Sequence, residues 1–314
     1  MSIVKISPNI SLIDGFDSGL EYRTGTYVLH EEKVTLLESG PSPSVPHVLN
    51  GLRELQIDPK DVAYIIVTHI HLDHAGGAGL LLEHCPNATL VVHPRGARHL
   101  IDPSRLIIGA KAVYNEQFDE FFHPIIPVSE ERILIKKDQE TLKIGSHSTL
   151  SFFDTPGHSA HHFCIYDENT KGIFSGDTLG VHYKLLEKEG YHLVLPSTSP
   201  SQFDPDAMLQ SINRIEQLDV QAIYFGHYGA SFQPSLVFSQ LRQWLPVFVS
   251  TGESVFEHQN NTKKLRESLL HLVQKDLDDH NIPRNHPVYE HINLDLHICS
   301  LGIIDYLQKN NSKL

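Results

Sequence analysis

One short string in this chain carries residues whose types and spacing suit metal binding. Thr68-His69-Ile70-His71-Leu72-Asp73-His74-Ala75-Gly76-Gly77 sets three imidazoles and one carboxylate close together. With 22 histidines and 19 aspartates in 314 residues, composition alone produces His-x-His-x-Asp-His somewhere in such a chain with a probability of about 0.006. Imidazole with carboxylate, and no thiolate, is the donor mixture suited to Zn²⁺ or Fe²⁺. The string has to be delivered by something rigid. The β-branched run Ala63-Tyr-Ile-Ile-Val-Thr68, preceded by Asp58-Pro59, reads as a strand buried on both faces that ends at His69. Gly76 and Gly77 let the next helix start close to bound cations with no Cβ in the way.

Further donors stand where later strands end. Asp154-Thr-Pro-Gly-His158 places a histidine after a strand and a Pro-Gly turn, Phe174-Ser-Gly-Asp177 ends a strand on an aspartate, and Tyr224-Phe-Gly-His227 ends one on a histidine. Taken in order, these motifs resemble the metallo-β-lactamase-fold hydrolase superfamily over roughly residues 10–230, nearest to its glyoxalase II and lactonase-like branch. The resemblance implies an α/β fold, an αβ/βα four-layer sandwich of two sheets with helices outside and the metals at one edge. It also implies the ligand set: His69, His71 and His158 on one divalent ion, Asp73, His74 and His227 on the other, and Asp177 bridging both. Glu38-Ser39-Gly40 is similar to the family's acidic-small-Gly turn beneath the site. His162 matches a supporting histidine, either orienting a ligand or packed in the core, and His161 reads as its neighbour.

Such a pair of ions, Zn²⁺ first with Fe or Mn as alternatives, lies about 3.5 to 4 Å apart and shares a bridging water whose pKa falls toward ~7. The hydroxide so formed attacks without any side-chain nucleophile. Asp73, a ligand with a spare oxygen, is the candidate to pass a proton to the leaving group. The expected activity is hydrolysis of a small ester, lactone, thioester or phosphoester. Glyoxalase II-like relatives follow the bridging aspartate with Cys-Gly-Arg, whereas here Asp177-Thr-Leu-Gly-Val-His-Tyr follows. Lactonases of the family often carry a tyrosine where this chain has Gly180. His123, His182 and Tyr183 are placed in loops that rim the pocket as candidate substrate contacts. The alternative function is a non-hydrolytic di-iron protein that reduces or senses oxygen. Flavin-linked relatives of that kind carry glutamate at the position of His71, and no flavin domain is evident.

The elements around these motifs alternate between strand and helix. Strands are expected at Val34–Gly40, Thr89–His93, Ile133–Ile135, Thr149–Phe153, Phe163–Tyr166, Gly172–Ser175 and Ala222–Phe225. Helices are expected after Pro46, over Gly77–His84, from Pro94, and from Asp204-Pro205, with a partly helical insertion over 103–132. Asp167-Glu-Asn-Thr-Lys-Gly172 begins like a calcium loop, but Lys171 stands where an oxygen ligand is needed, so it reads as a hairpin turn. Beyond residue 230 the strand signals stop. Leucine stripes at 265–277 and 296–307 mark helices, giving a division into a catalytic domain, 1–230, and a helical extension, 231–314, that closes one side of the pocket, forms a homodimer interface or packs on its own core.

Composition narrows the partners. A net charge of −13 argues against nucleic acid and anionic membrane surfaces, which require basic patches. The expected partner is a small-molecule substrate. Met1-Ser-Ile-Val-Lys-Ile-Ser-Pro does not read as a secretory leader, so none is expected, and no apolar run approaches membrane-spanning length. Three cysteines, Cys85, Cys164 and Cys299, are too few and too scattered for a disulfide framework. A cytoplasmic location is expected.

Overall fold

The computed structural model describes residues 3–259 and 261–311. Its contacts divide the chain into two units. One comprises Met1–Asp154, His161–Gly176 and Gln221–Phe232; the other comprises Thr155–Ala160, Asp177–Val220 and Gln233–Leu314.

The chain forms two sheets, and the first unit holds all of one and most of the other, residues 177–182 and Val194–Leu195 of the latter belonging to the second unit. One has the order β1 (Ile3–Ser7), β2 (Ile10–Asp14), β3 (Gly25–Leu29), β4 (Val34–Leu37), β5 (Val62–Ile66), β6 (Thr89–Val92) and β7 (Ile133–Ile135). It is antiparallel from β1 to β4 and parallel from β4 to β7. The second sheet contains β8 (Thr141–Lys143), β9 (Thr149–Asp154), β10 (Phe163–Asp167), β11 (Gly172–His182), β12 (Val194–Leu195), β13 (Ala222–His227) and β14 (Ala230–Ser231). Its order is β14-β13-β11-β10-β9-β8, with β12 pairing the far end of β11. The hairpin expected at Asp167–Gly172 joins β10 to β11.

The inner strands β4 to β6 of the first sheet are covered on both faces, which is why they read as apolar runs. Successive side chains point to opposite faces. Leu36, Ile65, Leu90 and Val92 pack toward the helices that carry Val48, Leu52, Leu81 and Leu100. Leu37, Ile66 and Val91 face Phe152, Phe163 and Phe174 of the second sheet. The αβ/βα sandwich expected from the sequence is thus present, with a helical C-terminal region.

In the second unit, Asp204 accepts a hydrogen bond from Ala207 N at 3.0 Å and caps helix Pro205–Glu216, as the Asp-Pro pair predicts. Helices Pro234–Gln259, Thr262–Asp279 and Val288–Asn311 pack against one another. Leu265, Leu269, Val273 and Leu277 of one stripe, and Leu296, Ile304 and Leu307 of the other, are buried.

Three elements differ from the sequence expectation. The strands β1 to β3 are unmarked by clean alternation because polar side chains inside them are satisfied locally: Ser11 pairs with His30 at 2.8 Å, and Asp14 accepts from the backbone N–H groups of Phe16 and Tyr22. The helix Pro234–Gln259, which runs through Pro246, has no counterpart among the expected elements. The strand β11 continues past Asp177 to His182, since left-handed glycines at 176 and 180 bend it without ending it.

All three cysteines are buried and free of disulfides. Burial pushes the Cys85 thiol up to about 11 and the Cys299 thiol up to about 12, so both are protonated and unreactive at neutral pH. Among the described residues, no helix is long and apolar enough to cross a membrane.

Candidate metal centre

In the first unit, β5 ends at Ile66 and the chain turns through Thr68 into a one-turn helix, Leu72–Ala75, that presents Asp73 and His74 together. His227, the last residue of β13, meets them. His74 Nε2 and His227 Nε2 are 3.2 Å apart, His227 Nε2 and Asp73 Oδ2 are 3.4 Å apart, and His74 Nε2 and Asp73 Oδ2 are 3.7 Å apart. Donors at about 2.0 to 2.1 Å from one tetrahedral ion stand about 3.3 Å from each other, so this triangle has the dimensions of a tripod for a single cation. His69 Nε2 and His71 Nδ1 approach to 2.9 Å and form a second pair of converging nitrogens. His74 and His227 are almost wholly buried, whereas Asp73 is partly exposed.

Partners behind the rings decide which nitrogen each offers. Glu38, on the turn after β4, accepts from Thr68 N at 3.1 Å and from Thr68 Oγ1 at 2.5 Å. With its proton committed to Glu38, the Thr68 hydroxyl accepts from His69 Nδ1–H at 3.1 Å, which leaves the lone pair on Nε2 facing His71. Glu38 Oε1 also lies 3.5 Å from His74 Nδ1, which turns His74 Nε2 toward His227. These are the carboxylate–imidazole relays that fix ligand tautomers. Thr68 was legible only as a strand end; its hydroxyl is the link that joins Glu38 to His69.

Two glycines are required for this approach. A Cβ at Gly226 would stand 2.7 Å from His74 Cε1, and one at Gly176 would stand 2.5 Å from His162 Nε2 and from Thr68 Oγ1. Tyr27, fully buried, shares its single hydroxyl proton between the Gly229 carbonyl at 2.5 Å and the Phe225 carbonyl at 2.9 Å, which pins the end of β13 beside His227. His162 stacks on His69 with ring centroids 4.8 Å apart, consistent with a supporting part. His161 is more than a sequence neighbour. It lies edge-on to His71 at 5.4 Å and parallel to His69 at 6.2 Å.

The second unit carries the other two expected ligands as a pair. His158 Nε2 lies 3.4 Å from Asp177 Oδ2. His158 Nδ1 meets the Ser197 carbonyl at 3.0 Å, so it holds the proton and Nε2 offers its lone pair toward Asp177. Ser197 Oγ donates to Asp177 Oδ2 at 2.8 Å. Gly157, at φ +135° with a Cβ position 2.3 Å from the Met208 backbone, accommodates no side chain, which explains the Pro-Gly turn before His158.

Of His182 and Tyr183, expected in a loop at the pocket rim, only Tyr183 lies outside a strand, and neither is exposed. Both are buried; His182 ends β11 and pairs with Glu187 at 3.4 Å, and Tyr183 donates its hydroxyl to Asp295 at 3.0 Å. His123 is exposed, at the end of helix Phe118–Phe122.

The donor chemistry, the distances and the relays behind the rings fit a centre for divalent ions. Comparison with known proteins agrees. The chain is 24% identical over 223 residues to the metallo-beta-lactamase fold-containing protein ST1585 of Sulfurisphaera tokodaii, covering 70% of this chain and 77% of that protein. It is 28% identical over 183 residues to an N-acyl homoserine lactonase of Bacillus thuringiensis, covering 57% and 61%. It is 23% identical over 236 residues to the diflavin flavoprotein A 2 of Synechocystis, covering 68% and 35%. The chain therefore spans well under two thirds of some curated relatives it matches. Among solved structures, TTHA1429, a metallo-beta-lactamase family protein from Thermus thermophilus, superposes with a TM-score of 0.68 at 20% identity over 98% of this chain and 95% of that one. The crystal structure of ST1585 superposes with a TM-score of 0.62 at 21% identity, covering 76% and 86%. The family model of the metallo-beta-lactamase superfamily matches residues 21–227, and the chain belongs to that superfamily.

Proposed function

We propose that the protein is a hydrolase of small esters, lactones, thioesters or phosphoesters that works with two divalent cations, Zn²⁺ foremost. In this reading His69, His71 and His158 hold one ion, Asp73, His74 and His227 hold the other, and Asp177 serves both. Asp73, His74 and His227, with their donor atoms at single-ion spacing, carry the proposal. The lactonase relative supports hydrolysis as the reaction class. Cations bound there would supply Lewis acidity and a hydroxide at neutral pH.

The chain's own groups divide the remaining work. Glu38 and Thr68 hold His69 and His74 in the ligating tautomers, so nothing has to reorganise when charge develops on the substrate oxygen. Asp73 offers one carboxylate oxygen to the tripod and is the partly exposed member of it, so its other oxygen accepts a proton and hands it to the leaving group.

The diflavin relative favours a second reading, di-iron chemistry with oxygen. The two separate in one experiment. Protein reconstituted with Zn²⁺, and separately with Fe²⁺, is assayed against p-nitrophenyl esters, lactones and bis-p-nitrophenyl phosphate while dissolved oxygen is followed. Turnover by the zinc form, reduced at least about a hundredfold in His71→Ala, supports hydrolysis. Oxygen consumption by the iron form with no hydrolysis by either form overturns it.

A further inference from the structure

In the second unit a single residue serves both candidate ligands. Ser197 donates its hydroxyl to Asp177 Oδ2 at 2.8 Å, and its carbonyl accepts from His158 Nδ1–H at 3.0 Å. In sequence Ser197 stands 20 residues beyond Asp177 and 39 beyond His158. The route of the chain explains the meeting. The strand β11 runs past Asp177 to His182, a stretch of 3₁₀ helix at Lys184–Glu189 follows, and β12 returns antiparallel with Val194 opposite His182 and Leu195 opposite Val181. Gly180, at φ +74°, permits this approach, since a Cβ there would stand 2.2 Å from the Leu195 carbonyl oxygen. Pro196 and Ser197 then lead back toward Asp177.

A hydroxyl on an irregular segment orients a carboxylate only if the segment is itself fixed, and helix Val288–Asn311 fixes it. Thr198, fully buried, donates its hydroxyl to the Cys299 carbonyl at 3.0 Å, and the Cys299 thiol meets the Pro196 carbonyl at 3.5 Å. Gly302 lets the helix backbone lie directly on the segment, because a Cβ there would stand 2.7 Å from the Thr198 carbonyl oxygen. At the other end of the segment, Tyr183 donates its hydroxyl to Asp295 at 3.0 Å. Asp295, Cys299 and Gly302 follow the i, i+4, i+7 spacing of one helix face, so that face holds the segment at both ends. Its polar contacts fix direction as well as position.

We propose that Ser197 is a positioning residue for His158 and Asp177 and that helix Val288–Asn311 is its clamp, so that the C-terminal helical region is part of the framework of the metal centre. The inference rests on the reading of His158 and Asp177 as metal ligands. The Ser197 hydroxyl keeps the Asp177 carboxylate turned one way and its carbonyl keeps the His158 proton on Nδ1, so neither ligand reorients when an ion binds.

Metal-free full-length protein is titrated with Zn²⁺ against a chromophoric chelator, its melting is followed without metal, and p-nitrophenyl ester turnover is measured in parallel. Ser197→Ala is expected to weaken one of the two zinc equivalents about 10- to 100-fold, while metal-free melting stays within about 3 °C of wild type. Ser197→Thr, which keeps the hydroxyl, should bind that ion within about threefold of wild type. Thr198→Val, altered at a side chain that bonds to the helix, should weaken the same ion about two- to tenfold. Wild-type zinc affinity in either Ser197→Ala or Thr198→Val overturns the proposal. So does an equal loss in Ser197→Ala and Ser197→Thr with a lowered melting temperature, which assigns the segment to packing alone. The expected zinc losses with no ester turnover by wild type sustain the clamp and remove the hydrolase reading; ester turnover with zinc affinity unchanged in the variants does the reverse.

Discussion

Replacing His227 with alanine is expected to reduce bound metal from two ions per chain to one and to lower kcat/KM toward the best substrate about 10³-fold, which corresponds to about 4 kcal/mol of lost transition-state stabilisation. The argument is geometric. His227 closes the 3.2 and 3.4 Å sides of the triangle with His74 and Asp73; without it the proposed ion keeps only Asp73, His74 and a share of Asp177, too weak a hold against water. The fold itself should survive, because Tyr27 still pins the end of β13 through the Phe225 and Gly229 carbonyls. Metal analysis by plasma emission, steady-state kinetics and far-UV circular dichroism of the metal-free proteins check the three parts. A variant that keeps two ions and full activity would remove His227 from the site.

Glu38 should matter almost as much without touching substrate. Its carboxylate is buried and accepts from the Thr68 N–H and hydroxyl while facing His74 Nδ1. Glu38→Ala strands those donors, at a cost of about 3 to 5 kcal/mol. In a chain of this size that corresponds to a fall in melting temperature of about 5 to 8 °C. Metal affinity should fall a further 10- to 100-fold, the usual effect of losing a ligand's orienting partner. Glu38→Gln separates the two roles. Its carbonyl still accepts from Thr68, so much of the stability returns. Its amide hydrogens oppose His74 Nδ1–H and favour the wrong tautomer, so metal affinity stays low. Thermal melts of metal-free protein and competitive zinc titration measure these effects. Wild-type values for both in Glu38→Ala would show that the turn is only a surface feature.

The site was more legible in the sequence than the scaffold. His69, His71, Asp73 and His74 stand in a pattern that composition does not generate, and His158, Asp177 and His227 each follow an apolar run with a glycine adjacent. The structure shows why those glycines are there: Gly157, Gly176 and Gly226 lie where a Cβ would strike Met208, His162 or His74. What sequence could not convey was which partner each buried polar side chain finds. The strand β2 buries Ser11 and Asp14 because His30 and two backbone N–H groups receive them. The burial of His182 beside Glu187 and of Tyr183 beside Asp295 was likewise not legible from the residues around them in sequence. The part Thr68 plays depends on Glu38, thirty residues earlier. Helix Pro234–Gln259 tolerates Pro246 because it packs against helices Thr262–Asp279 and Val288–Asn311, information that a local reading of proline lacks.

Anomalous diffraction at the zinc edge, from crystals of wild-type protein reconstituted with Zn²⁺, bears most directly on whether these imidazoles and carboxylates form a binuclear centre. Two peaks about 3.5 to 4 Å apart are expected, one among Asp73, His74 and His227 and one at His69 and His71, together with two equivalents of zinc in solution. Zinc-free density at these residues, or ions held only elsewhere on the chain, would contradict the account.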